Sequence, residues 1–70
     1  MERIYLDSTT IASVTYNPDD KTLEIEFQEG KVYHYRAVPQ SVYYSLINAA
    51  SAGKYFNENI RDVYSFKQIE

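Results

Sequence analysis

Thr22-Leu23-Glu24-Ile25-Glu26-Phe27-Gln28-Glu29-Gly30-Lys31-Val32-Tyr33-His34-Tyr35 is the stretch on which the fold of this chain turns. Leu23, Ile25 and Phe27 alternate with Glu24 and Glu26, the period of an extended strand with one face buried and one in water. Val32 to Tyr35 returns after a turn at Gln28 to Lys31, and a slip of one residue there would send every returning side chain to the opposite face. A two-residue loop at Glu29-Gly30 sets His34 opposite Ile25 and Arg36 opposite Leu23, and asks Glu29 for a left-handed backbone that it tolerates poorly. A three-residue loop, with Gly30 in the left-handed position of a G1 bulge, instead sets Tyr33 against Ile25, Tyr35 against Leu23 and His34 beside Glu24. The second register gives one apolar face and one charge-complementary face. It therefore predicts Tyr33 and Tyr35 on the buried side, with His34 and Arg36 toward solvent.

Upstream, Ile11-Ala12-Ser13-Val14-Thr15-Tyr16 is rich in β-branched and aromatic types, and a regular strand there puts Ala12, Val14 and Tyr16 on one side. Asn17-Pro18 opens a turn, and a loop from Pro18 to Lys21 pairs Tyr16 with Leu23 and Val14 with Ile25. Ile4-Tyr5-Leu6 reads as a further edge segment. Downstream, Pro39 suits the first turn of a helix, and Val42, Tyr43, Leu46, Ala49 and Ala50 recur at helical intervals, which predicts a helix over residues 40–50. If that helix covers the face carrying Tyr33 and Tyr35, both rings belong to the core. Ser51 is placed to cap a second, short helix from Ala52 to about Asn59, with Gly53 weakening its start. Residues 62–67 alternate again, with Tyr64 and Phe66 on one face of a short closing strand. The reading is an α+β fold: a small antiparallel meander of three or more strands packed against one or two short helices, as a single domain over residues 1–70.

Composition narrows the possibilities further. Seventy residues without cysteine cannot lean on disulfides or thiolate zinc sites, so the apolar core has to hold the fold. Eight tyrosines and three phenylalanines make tyrosine the expected packing material of that core. No apolar run is long enough for a transmembrane span, and Met1-Glu2-Arg3-Ile4-Tyr5 does not resemble a signal peptide, so a cytoplasmic protein without membrane contact is expected. The formal net charge is −3 but is unevenly spread, since residues 1–30 carry seven carboxylates against Arg3 and Lys21. Residues 31–70 carry Lys31, Arg36, Lys54, Arg61 and Lys67 against three carboxylates. The acidic total weighs against nucleic-acid binding except through a local basic patch in the second part.

Catalysis finds little support. There is no cysteine nucleophile, a single histidine, no glycine-rich phosphate loop and no His-Glu-x-x-His pattern, so the expectation is a non-enzyme without cofactor or metal. Asp19-Asp20 lacks the ligand spacing of a calcium loop, and Glu24 and Glu26 belong to an exposed strand face.

Five ordered motifs together resemble a known family: Ile11 to Tyr16, Leu23 to Phe27, Gly30-Lys31-Val32-Tyr33-His34-Tyr35, Val38-Pro39, and Gly53-Lys54-Tyr55-Phe56-Asn57 followed by Ile60-Arg61. The resemblance is to the KTSC domain, a short module found alone in bacterial and phage proteins and at the carboxy terminus of some lysyl-tRNA synthetases. Its hallmark is a Tyr-x-Tyr, matched here by Tyr33-His34-Tyr35, and Phe56 falls in its second signature. The similarity covers residues from about 8 to 64. Company with synthetases is what suggests RNA binding for the family.

Two classes of function follow. In the first, a non-catalytic module binds RNA or another nucleic acid through Lys31, Arg36, Lys54, Asn57 and Arg61. Lys54, Asn57 and Arg61 would share a face if the second helix ran on to Arg61, offering cations and an amide to a phosphate or carboxylate. The alternative role for Asn57 and Arg61 is to fasten the helix to the sheet through backbone carbonyls. Tyr33, Tyr35 and Phe56 are read as structural, in preference to base-stacking platforms. In the second class, exposed tyrosines and an unpaired sheet edge bind a partner protein.

Overall fold

Among the described residues, five short strands succeed one another in an antiparallel meander, each hydrogen-bonded to the next in chain order: β1 (Arg3–Tyr5), β2 (Ile11–Asn17), β3 (Thr22–Phe27), β4 (Val32–Tyr35) and β5 (Phe66–Gln68). Two helices, α1 (Gln40–Ile47) and α2 (Ala52–Asn59), fill the connection between β4 and β5. The structure is a computed structural model describing residues 2–70, so Met1, first in the amino-terminal stretch and in the expected 1–70 domain, lies outside the described residues.

Both turns take the expected register. Val14 pairs with Ile25 and Tyr16 with Leu23 across the first. There Asn17 Oδ1 accepts the Asp19 N–H at 3.0 Å, and Asp20 Oδ1 accepts the Thr22 N–H at 3.0 Å. Across the second, Tyr33 pairs with Ile25, His34 with Glu24 and Tyr35 with Leu23. Gly30 has φ +100°, and its N–H donates to the Phe27 carbonyl at 2.9 Å, closing the turn. The left-handed backbone at this position is what requires glycine.

The expectation for Ala12 does not hold. Ile11 pairs with Phe27 and Ser13 with Glu26, so β2 carries one extra residue at Ala12. That bulge resets the alternation, and Ile11 becomes fully buried while Ala12 is half-buried. The helix expected over residues 40–50 also ends early, at Ile47. The side chain of Asn48 turns back to donate to the Tyr44 carbonyl at 2.8 Å, occupying an acceptor of the last turn. Ala49 and Ala50 thus lie beyond it, and Pro39 is its N-cap, just outside the helix.

Ser51 caps α2 as expected, its Oγ accepting the Lys54 N–H at 3.2 Å. Gly53, weak by helix propensity, answers a packing demand: a Cβ there would stand 2.9 Å from Thr10 Oγ1. Past α2 the chain does not enter the strand expected over residues 62–67. Arg61 N–H donates to the Phe56 carbonyl, Val63 N–H to the Ile60 carbonyl, and Asp62 sits at φ +62°. This turn delays β5 to Phe66, which pairs with Tyr35.

The core lies between the sheet and the two helices. Its fully buried members are aliphatic, among them Ile11, Leu23, Ile25, Val38, Leu46 and Ile60, and aromatic rings surround them instead of forming the centre that composition suggested. Branched aliphatics fill the narrow middle of a small sheet with no polar atom to satisfy, whereas a tyrosine needs an outlet for its hydroxyl. α1 packs over the β2 end through Tyr43, whose ring stacks on Tyr16 at 4.8 Å and 11°. The rings packed against Tyr35 come from Phe56 of α2 and Phe66 of β5, so the condition considered for the first helix is met by the second. Among the described residues, no helix is long and apolar enough to cross a membrane.

Candidate functional site

The β3–β4–β5 end of the inner face opens into a groove of about 360 Å³ beside the start of the turn after α2. Its floor is aromatic because β4 and β5 place Tyr33, Tyr35 and Phe66 side by side on one face. Tyr33 stacks on Phe66 at 5.3 Å and 17°, and on Tyr35 at 6.2 Å and 24°. Phe27 and Phe56 close the back edge-on, 5.3 Å apart. Tyr35 is buried as expected, Tyr33 only half-buried, and Phe66 is 54% exposed. The expectation of two interior rings therefore holds for Tyr35 and in part for Tyr33.

Tyr35 contributes more than packing. The residue is only 3% exposed, and its hydroxyl has no protein hydrogen-bond partner among the described residues, although no buried side-chain nitrogen or oxygen there lacks one. The oxygen must therefore reach the surface, and Tyr35 is one of the residues that line the groove. Burial pushes the phenol up to about 12, helped by Tyr33 and Asp62 and opposed by the Arg61 guanidinium, so the hydroxyl keeps its proton at neutral pH.

Charged side chains rim the groove in both signs. Lys31 and Arg61 stand with Asn57 on one hand, Glu29 and Asp62 on the other. Lys31 Nζ lies 3.1 Å from Glu29 Oε1, a hydrogen-bonded ion pair that raises the lysine above its usual range. Both partners are more than half exposed, so this pair holds the lysine only loosely. Arg61 and Asp62 form no ion pair among the described residues. Neither Asn57 nor Arg61 donates a side-chain hydrogen bond to a backbone carbonyl there, which removes the fastening role considered for them.

The five basic and amide residues singled out from the sequence do not form one patch. Lys31, Asn57 and Arg61 meet at the groove. Lys54 borders a neighbouring depression at the start of α2, which Asn57 also lines. α2 stops at Asn59, so the continuous helical strip through Arg61 is not formed. Arg36 lies elsewhere, in a shallow depression with Thr15, Glu24 and His34 on the outer face of the sheet. There His34 Nε2 is 2.8 Å from Glu24 Oε1, and Arg3 reaches Glu24 at 3.4 Å and Glu26 at 3.7 Å. Glu26 also accepts the Ser13 hydroxyl at 3.0 Å, so this acidic face is internally occupied. Sequence reasoning missed Phe66, Glu29 and Asp62 as groove residues. The alternation around Phe66 was a legible signal for a strand, but its exposure and the placement of Asp62 depend on the turn after α2.

Residues 7–64, which include all but the end of this groove, match the model of the KTSC domain. The chain belongs to the KTSC domain family. An uncharacterised protein of Stutzerimonas stutzeri is 41% identical to it over 58 residues, which cover 83% of this chain and 82% of that protein. A lysine–tRNA ligase of Nostoc punctiforme is 40% identical over 63 residues, 90% of this chain but 11% of the ligase. The crystal structure of a KTSC domain protein from Yersinia pestis superposes with a TM-score of 0.92 at 31% identity, covering 99% of this chain and 97% of that one. In this KTSC domain the Tyr-x-Tyr hallmark is thus split in role: Tyr35 packs under α2 and Tyr33 forms floor of the groove.

Proposed function

We propose that this KTSC domain is a non-catalytic module that binds single-stranded RNA weakly in the groove between β4, β5 and the turn after α2. The observation that carries this reading is Tyr35, a largely buried ring that lines an aromatic-floored groove and whose hydroxyl has no hydrogen-bond partner among the described residues. A hydroxyl that reaches the surface without a protein partner donates to water or to a ligand, and a stack of rings with one face in solvent suits an unpaired base. Lys31 and Arg61 on the rim supply two positions for backbone phosphates. The similarity of this chain to a segment of lysine–tRNA ligases favours RNA among nucleic acids. The formal net charge of the chain is −3, so binding through two cations is local and easily screened.

Titration of labelled single-stranded RNA and transfer RNA at two salt concentrations tests the reading. Two phosphate contacts predict a shallow slope of log affinity against log salt, roughly −1.4 for a single strand. Lys31→Ala with Arg61→Ala should flatten it, whereas Arg36→Ala, on the opposite face, should leave it unchanged. No binding even at low ionic strength overturns the proposal. A protein-interaction module is the alternative, favoured by Tyr5 on edge strand β1, which is 74% exposed. A specific protein recovered from lysate after nuclease treatment, with recovery lost on Tyr5→Ser, would shift the weight to it.

A further inference from the structure

The groove carries carboxylates where a purely phosphate-binding site would exclude them, and one of them is held in an unusual way. Asp62 sits in the left-handed region at φ +62°, lines the groove and has no ion-pair partner among the described residues. Glu29, the other acid, is engaged by Lys31 at 3.1 Å. A carboxylate beside a stacking surface accepts two parallel hydrogen bonds, and so selects a ligand edge that presents two adjacent donors. Among the common bases, the Watson–Crick edge of guanine offers this pair through N1–H and the N2 amine, next to an O6 acceptor. Cytosine and adenine each present one amine beside an acceptor nitrogen, and uracil one imide N–H between two carbonyls. The Tyr35 hydroxyl and the Arg61 guanidinium, both at the same groove, are donors suited to the acceptor oxygen.

Resting on the RNA-binding reading above, we propose that the groove selects guanine, its base stacked on the exposed ring of Phe66, its paired donors on the Asp62 carboxylate and its O6 oxygen on the Tyr35 hydroxyl. The site is then a single-base reader, with Lys31 and Arg61 holding the flanking backbone without regard to sequence. Neutral Tyr35 is what such a contact needs, because a phenolate would repel the carbonyl oxygen.

Short uridine-rich RNAs of roughly eight nucleotides, carrying one central guanosine, inosine or adenosine, test this by fluorescence anisotropy at low salt. Inosine keeps O6 and N1–H but lacks the N2 amine. Guanosine RNA should bind about tenfold tighter than either of the other two. Asp62→Asn should erase the advantage of guanosine over inosine, since asparagine tolerates the left-handed backbone but offers a single acceptor oxygen to the paired donors, while its amide suits the amine and ring nitrogen of adenine and should raise adenosine binding. Glu29→Gln should leave the preference in place. Equal affinity for the three RNAs overturns the selectivity while leaving RNA binding intact, and no binding to any of them at low salt overturns both. Loss of the preference in Glu29→Gln, with Asp62→Asn behaving as the unmodified protein, overturns the assignment to Asp62. The guanosine and inosine comparison uses the unmodified protein, so a folding defect in either variant leaves the proposal open to refutation.

Discussion

The inner face of the sheet ends in two tyrosines that began with the same chemistry and were put to different uses. At the β2 end, Tyr16 is covered by the stacked ring of Tyr43, and its hydroxyl donates to the Val38 carbonyl at 2.6 Å. At the β4 end, Tyr35 is just as buried and lines a groove, but its hydroxyl meets no protein acceptor among the described residues. A hydroxyl spent on a backbone carbonyl ties β2 to the chain leading into α1 and serves the fold. A hydroxyl left unspent on an equally rigid ring costs little stability while water can reach it, and is preorganised for a ligand. The difference lies in the cover: α1 lays a tyrosine flat over Tyr16, whereas α2 offers Phe56 edge-on and β5 is a strand of three residues.

Four changes would break or sharpen this contrast. Phe56→Ala should have the largest effect, a loss of about 3–5 kcal/mol in chemical denaturation, because the ring backs both Phe27 and Tyr35 and its removal leaves a cavity behind the groove. Next, Tyr16→Phe should cost about 1–3 kcal/mol by the same measurement, since it strands the buried Val38 carbonyl. Alkaline pH should act on both ends. Burial raises the phenols of Tyr16 and Tyr43 and pushes Tyr35 from 10.0 up to about 12, so the unfolded chain releases these protons first. Stability is therefore complete below about pH 10 and falls as the pH rises toward 12; thermal unfolding midpoints followed with tyrosinate absorbance would check this, and Tyr35→Phe should lessen the slope. The smallest effect belongs to Tyr35→Phe at neutral pH, less than about 0.5 kcal/mol of stability, together with a measurable loss of RNA affinity. Equal costs for Tyr16→Phe and Tyr35→Phe would erase the distinction between the two ends.

Much of this was legible along the chain, where local chemistry was decisive. The alternation of residues 22–27, the glycine at position 30 and the Asn17-Pro18 turn set the pairing of three strands, and Ser51 marked the start of α2. Ala12 was misread because a bulge leaves no mark in an alternation that looks regular, and Ala49 and Ala50 because Asn48 competes with the helix through its own side chain. Of the residues singled out by charge and spacing, Lys31, Asn57 and Arg61 line the groove, whereas Arg36 and Lys54 shared those features and lie at other depressions.

By itself, the amino-acid sequence determined the pairing of the three central strands across their two turns, the shared face of Tyr33 and Tyr35 and membership in the KTSC family. These rest on contacts between neighbours in the chain and on a two-residue period that admits one consistent solution. Tertiary structure alone decided which helix covers which tyrosine, that the turn at Arg61 and Asp62 closes one wall of a groove, and that Phe66 lies half in water. Those outcomes depend on how segments distant in sequence share a small surface, a competition for cover that no local pattern encodes.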